Sequence, residues 1–97
     1  MRTLLKATFD TDLGNAAIKD GSLGKIIESL MEKIKPEAAY FTATEGCRSC
    51  IIVFDMKDSS DIPAIAEPLF MKLNAEVEFS PVMNVDDLKK GLGALKS

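Results

Sequence analysis

The chain has 97 residues, of which 46% are apolar, and this is enough for one hydrophobic core in a single domain spanning residues 1–97. Acidic residues (15) outnumber basic ones (12), so the sequence lacks the positive surface that holds nucleic-acid phosphates. The absence of histidine excludes imidazole-dependent catalysis and imidazole metal sites. No apolar run has membrane-spanning length and no secretory signal is recognisable, so we expect a cytoplasmic protein without a nucleic-acid or membrane partner.

A strand and a helix are predicted first. Residues 3–9 alternate between apolar and polar side chains, which is the period of a half-buried strand. From residue 23 to residue 34 the apolar positions recur every three or four residues, which predicts an amphipathic helix. Ser22 is the expected N-cap of this helix.

A hairpin and a second helix follow. Residues 38–44 and 50–56 are strand-like, and the connection 45–49 contains Gly46, which favours a turn. Residues 62–73 repeat the helical spacing, and residues 75–79 alternate as a fourth strand. After that strand Asn84 is predicted to cap a short helix carrying Leu88, Leu92 and Leu95.

This order of elements predicts an α+β domain of the ferredoxin-like βαββαβ type. Right-handed crossovers joined by a hairpin give, as the simplest solution, a four-stranded antiparallel sheet in the order 4-1-3-2. The two crossover helices then cover one face of the sheet, and the C-terminal helix is an extra element. The fourth strand is an edge, which suits Pro81 at its end because proline cannot donate to a ladder.

The two faces of this sheet are predicted to differ. One face packs against the helices through Leu5, Phe9, Phe41, Ile52, Phe54, Val77 and Phe79. The opposite, open face also carries apolar residues but has no predicted cover, and an exposed patch of this kind usually marks an interface. We therefore expect a homodimer that forms through Leu4, Tyr40, Ile51, Val53 and Val82. The alternative is a solvated face with scattered aliphatic residues.

In length, element order and half-apolar open face, the chain resembles the dimeric α+β-barrel superfamily of small ferredoxin-like proteins. The runs 35–41 (KPEAAYF) and 63–70 (PAIAEPLF) are most similar to its uncharacterised single-domain members. The resemblance implies that two sheets pack face to face into a barrel. The enzymes of the superfamily differ in chemistry and several use histidine or tryptophan, both absent here, so the resemblance implies no catalytic residue.

The motif Cys47-Arg48-Ser49-Cys50 raises the separate possibility of a thiol redox protein. A redox pair gains its low thiol pKa from a following helix N-terminus, whereas this motif is predicted to lie in a hairpin turn that runs into a strand. Two cysteines without histidine do not complete a conventional zinc site. We expect two free thiols, no bound metal and no cofactor.

Two aspartate-containing loops are expected at the same end of the sheet. One carries Asp10 and Asp12, and the other carries Asp55, Asp58 and Asp61. Acids in front of a helix more often stabilise the helix dipole than bind a divalent cation, so capping roles are expected.

Tyr40, the only tyrosine, is predicted on the open face with Lys6 and Glu78. In a dimer these residues would place polar groups among apolar ones, as in a small-molecule pocket, covered by the partner or by segment 10–21. The first interpretation is therefore a homodimer that binds or processes a small molecule there. The alternative is a non-catalytic interaction or assembly module, in which Tyr40 anchors the interface. The sequence identifies neither a catalytic residue nor a substrate.

Overall fold

The computed structural model describes residues 1–95, and its centre is one antiparallel sheet. The strands are β1 (Arg2–Thr8), β2 (Ala38–Thr44), β3 (Cys47–Asp55) and β4 (Glu76–Pro81). Their order is β2-β3-β1-β4, which is the predicted 4-1-3-2 read from the other edge. The α+β class and the four-stranded antiparallel sheet are confirmed, and the arrangement is compatible with a ferredoxin-like fold.

Four α-helices accompany the sheet: α1 (Thr11–Lys19), α2 (Ser22–Ile34), α3 (Ile62–Leu73) and α4 (Val85–Gly93). A short 3-10 turn, Ser59–Asp61, leads into α3. Helices α2, α3 and α4 match the predicted helices, and Asn84 caps α4 as expected. Helix α1 was not predicted, so the connection from β1 to β2 contains two helices and the chain departs from a strict βαββαβ order.

Asp10 is the N-cap of helix α1, and its Oδ2 accepts a hydrogen bond from the backbone N–H of Leu13 at 3.0 Å. Its two buried residues are Gly14 and Ala17, and side chains this small leave little apolar periodicity in the sequence. The helix packs against α2 and α3, on the helical side of the sheet. Only its first turn reaches the open face, where Thr11 Oγ1 lies 3.8 Å from Cys47 Sγ at the hairpin end. Segment 10–21 therefore leaves the surface around Tyr40 and Lys6 uncovered, which corrects its expected role as a lid there.

Gly21 separates α1 from α2. Its φ of 80° lies in the left-handed region, which glycine adopts without strain, so the chain reverses direction within two residues. Gly21 takes the N-cap position that was predicted for Ser22, and no side chain caps the helix there. The amphipathic stripe of α2 then faces the sheet through Leu30 and Ile34.

The core lies between the sheet and helices α1, α2 and α3. Its largest fully buried apolar side chains are Phe54, Leu5, Ile52, Leu69 and Leu73. The buried Thr3 Oγ1 donates to the Met1 carbonyl at 2.9 Å. Ser49 is also buried but lies on the opposite face of the sheet, where its Oγ is 2.8 Å from Thr44 Oγ1. Removal of the apolar surface from water, at about 25 cal/mol per Å², is the main stabilising contribution.

Phe41 lies on the predicted face of the sheet but is not packed against the helices as expected. It lies on the helical side of β2, opposite Cys50, yet 53% of it is exposed. The reason is that α1 packs on β3 and α3 on β4, whereas within residues 1–95 no helix packs extensively on the edge strand β2.

The hairpin between β2 and β3 is tighter than predicted. Its turn consists of Glu45 and Gly46, with φ values of 51° and 78°, and two positive values are typical of a type I′ turn. Cys47 already pairs with Thr44, so the predicted connection 45–49 is wrong in its last three residues. The C-x-x-C motif consequently lies in strand β3 and not in a turn.

Helix α4 stands apart from the rest of the domain. The Cα radius of gyration is 15.5 Å and the longest dimension 57 Å, whereas a compact chain of this length has a radius of about 12–13 Å. Within the described part of the chain α4 makes no extensive contact with another element. No helix of residues 1–95 combines the length and apolar character needed to cross a membrane.

Candidate functional site on the open sheet face

The open face is the side of the sheet opposite the helices, and cross-strand pairing arranges its side chains in rows. In the central row Tyr40 lies opposite Ile51, Ile51 opposite Lys6, and Lys6 opposite Glu78. Neighbouring strands are about 4.8 Å apart, so Tyr40 and Lys6 flank Ile51 at a backbone separation of about 10 Å. The three predicted ligand-binding residues therefore share one line across the sheet.

The next row is more apolar and consists of Ala38, Val53, Leu4 and Ser80. Beyond it the ladder continues for one residue, because the N–H of Val82 donates to the Arg2 carbonyl at 3.1 Å. None of the five predicted interface residues is buried: Tyr40 is 69% exposed, and Leu4, Ile51, Val53 and Val82 are half-buried. The face thus combines contiguous aliphatic residues with a central polar row.

The polar groups of the central row are not engaged with one another. Lys6 and Glu78 are directly opposite, yet their charged groups do not form one of the ion pairs found in residues 1–95. In the same part of the chain, neither the Tyr40 hydroxyl nor the Lys6 ammonium takes part in a side-chain hydrogen bond. A hydroxyl and an ammonium are thus available to an incoming group.

Arg2 closes one end of the open face, and no sequence pattern singled it out. Its Nε donates to Glu37 Oε1 at 2.6 Å and its Nη1 donates to Asp87 Oδ2 at 2.7 Å. The hydrogen bond and charge of Glu37, followed by those of Asp87, raise the pKa of Arg2 above its ordinary value. Because Asp87 also accepts the N–H of Asn84 at 3.1 Å, one carboxylate caps α4 and joins it to the sheet. The partners are 35 and 85 residues distant, so no local pattern reveals them.

The positions of the two cysteines do not favour a redox role. Side chains three apart in a strand point to opposite faces, with Cα atoms about 10 Å apart, whereas a disulfide needs less than about 7 Å. Cys50 is fully buried in the core, and this burial raises the pKa of its thiol to about 11. Cys47 is half-buried, with its Sγ 3.8 Å from Thr11 Oγ1.

The aspartate loops do not meet, which corrects the prediction. Strands β1 and β3 are antiparallel, so Asp10 follows the far end of β1 while Asp55 pairs with Arg2 at its beginning. Capping explains two of these acids: Asp10 caps α1, and Asp58 Oδ1 accepts the N–H of Ser60 at 2.8 Å. Residues 1–95 contain no group of three Cys, Asp or Glu side chains arranged to hold a metal ion.

Concave pockets that open to solvent occur away from the central row. One cavity of about 420 Å³ lies between α2, α3 and the end of β3, and its lining includes Lys33, Lys35, Lys57, Phe54 and Ile65. Another, of about 380 Å³, lies at the hairpin end of the sheet beside Cys47. Tyr40 and Lys6 line none of five such cavities in the described residues. A single chain therefore leaves the central row on an open surface, and a pocket there requires a second surface.

In comparisons with known proteins, no family model matches the chain and no curated protein is significantly similar to it.

Proposed function

We propose that the protein is a homodimer of the α+β-barrel type that binds a small molecule between the open faces of its two subunits. The observation that carries the proposal is the uncovered aliphatic surface of Leu4, Ile51 and Val53 in the middle of the sheet. Packing two such faces together removes this surface from water, and contiguous apolar patches on a domain usually mark contact sites.

The central row suggests the class of ligand. Lys6 supplies a positive charge and Tyr40 a hydroxyl, both beside the apolar side chain of Ile51. A pocket of this composition suits a small carboxylate with an apolar or aromatic body, because the ammonium binds the anion while the aliphatic floor contacts the body. Glu78, at the β4 edge of the row, would repel a second anionic group and favour a monoanion.

The second candidate is a non-catalytic assembly module with a dry, filled interface. It is favoured by one specific observation: Tyr40 and Lys6 lie outside the five cavities of residues 1–95. In this case Tyr40 would serve as an amphipathic anchor of the interface.

The homodimer is tested by sedimentation equilibrium of the parent and of Val53→Glu. We expect the parent to dimerise at micromolar concentration and the variant to be monomeric, because a carboxylate buried in a sheet-to-sheet contact costs on the order of 3 kcal/mol or more. Ile18→Glu is the matched control, since Ile18 is a 51% exposed aliphatic residue on α1. A monomeric parent, or equal dimerisation of both variants and the parent, would contradict the proposal.

Ligand binding is tested by thermal shift with a panel of aliphatic and aromatic carboxylates. A ligand that binds only the native state stabilises it more the further its concentration exceeds the dissociation constant, so a hit should raise the melting temperature of the parent and have less effect on Tyr40→Phe and Lys6→Met. Lys33→Met is the control, because Lys33 lines the separate cavity between the helices. Loss of the shift in Lys33→Met alone would move the ligand to that cavity, and a panel without hits would favour the assembly module.

A further inference from the structure

Helix α4 carries an apolar stripe that nothing in residues 1–95 covers. Val85, Leu88 and Leu92 follow one another at i, i+3 and i+7, which places them on one side of the helix, and Leu95 extends the stripe past the helix end. Their exposed fractions are 66%, 44%, 55% and 74%. Four large aliphatic side chains on one short element form a surface that favours burial.

The helix also needs a packing surface for its own stability. It has nine residues, among them Gly91 and Gly93, whereas isolated helices shorter than about 12–15 residues are marginal in water. Its attachments are confined to the first turn: Asn84 and Asp87 form a capping box, and Arg2 binds Asp87. These contacts fix the first turn and leave the remaining turns without support.

We infer that α4 is an arm that packs on a second copy of this chain and completes the homodimer interface; this inference rests on the proposed function. The Arg2–Asp87 contact holds the first turn of α4 at one end of the open face. From there the helix projects away from the domain body, in keeping with the 57 Å dimension. An arm in this position does not contact the core of its own chain. It would contact a partner that covers the open face.

The area of the interface supports an exchanged arm. Four strands of about seven residues give the open face a projected area of about 440 Å². A nine-residue helix covers about 140 Å². In a two-fold dimer each subunit contributes both its arm and the surface under the partner's arm, which adds about 280 Å² to the projected area of its sheet face. Exchanged arms would therefore enlarge the contact area of each subunit by more than half, which favours an interface in the stable size range.

The charges of α4 also favour a second copy of this chain, and not a lipid surface, as its partner. Asp86 and Asp87 balance Lys89 and Lys90, so the helix lacks the excess of basic residues that binds anionic lipid surfaces. Lys89 flanks the apolar stripe. The open face offers a complementary partner in the exposed carboxylates of β4, which belong to Glu76 and Glu78.

The test is sedimentation equilibrium of the full chain with Leu88→Lys and Leu92→Lys combined. We expect the dimer dissociation constant to rise by about 100-fold or more, because each buried leucine contributes roughly a factor of ten or greater. The control combines Gly93→Lys and Ala94→Lys, which adds the same charge away from the stripe and should leave the dissociation constant nearly unchanged. Circular dichroism should show a folded domain for both, since the stripe lies outside the core; the single variant Leu92→Ala should show the same effect more weakly.

Each outcome separates the arm from the proposed sheet contact. An unchanged dissociation constant in the stripe variant, with Val53→Glu monomeric, would overturn the arm and leave the sheet-face dimer. Dissociation of the stripe variant with a dimeric Val53→Glu would support the arm and overturn the sheet contact. A parent that stays monomeric would overturn both, and a monomeric parent that sediments with phosphatidylserine vesicles would assign the stripe to a lipid surface.

Discussion

The two faces of the sheet are made by the same strands, yet only one face is a core. Leu5 and Ile52 are fully buried, whereas their sequence neighbours Leu4 and Ile51, of nearly equal apolar character, are half-buried. The difference arises from the connections, because α1, α2 and α3 all lie on one side. The comparison shows that a strand can carry large apolar side chains on both faces while the helices of a single chain cover only one of them.

The largest expected effect is on the free energy of unfolding, which alanine substitutions at two adjacent residues should lower by different amounts. Ile52→Ala should lower the free energy of unfolding by about 2–5 kcal/mol, because it opens a cavity in the packed face. Ile51→Ala should cost less than about 1 kcal/mol at concentrations where the chain is monomeric, since its side chain is already partly in water. Urea unfolding of both variants at low concentration measures this difference. Equal losses would mean that the open face is covered within one chain.

Much of the sheet could be predicted because its signals are local. Alternation at residues 3–9 and 38–44 identified the strands, and the crossovers then left few arrangements of them. Helix α1 was missed because Gly14 and Ala17 bury so little apolar surface; Gly14 instead admits the side chain of Arg48, whose Nη2 donates to Asn15 at 2.9 Å. Glu45 was placed in the connection 45–49, but its positive φ, and with it the two-residue turn, was not predicted because a non-glycine side chain rarely adopts such a φ.

The rows of the open face followed from the same alternation, so Tyr40, Lys6 and Glu78 were grouped correctly from the sequence. The contacts at the rim could not be predicted in this way. Arg2 reaches Asp87 only after the whole sheet has formed, and the position of an exposed ion pair has no local signature. The functional roles of Tyr40, Lys6 and Glu78 stay predictions.

A smaller effect is expected for the two cysteines. Cys50→Ser should destabilise the fold by about 1–3 kcal/mol, because it puts a hydroxyl into a fully buried apolar site. Cys47→Ser should change stability by less than about 0.5 kcal/mol, since Cys47 is half-buried beside Thr11 at the end of the sheet. Thermal unfolding of the two variants compares them, and equal stability would place both thiols outside the core.

The raised pKa of Cys50 gives a pH dependence with a definite sign. In the folded chain the thiol stays protonated to about pH 11, whereas in the unfolded chain it ionises at its ordinary pKa, about 8.5. The unfolded state therefore loses this proton first, and the free energy of unfolding should fall as the pH rises from about 9 towards 11. Comparison with Cys50→Ala isolates this contribution. Parallel pH profiles of parent and variant would show that the thiol is not buried.

The smallest effect concerns α4. Gly91→Ala should stabilise this helix by about 0.5–1 kcal/mol, because alanine has the higher helix propensity and an added Cβ meets no atom within 4 Å. Slower amide hydrogen exchange in α4 is the measure. Gly21→Ala serves as the contrasting control, since a φ of 80° should make that substitution destabilising. Faster exchange in Gly91→Ala would contradict a helical α4.

The claim that a second copy covers the open face is tested most directly by methyl NMR with a soluble paramagnetic agent. The isoleucine methyls supply all the comparisons, because Ile52 is in the core, Ile51 on the open face and Ile18 exposed on α1. At concentrations where the chain is dimeric, we predict that Ile51 is protected as well as Ile52 while Ile18 is strongly relaxed. Relaxation of Ile51 to the same extent as Ile18 would contradict the account.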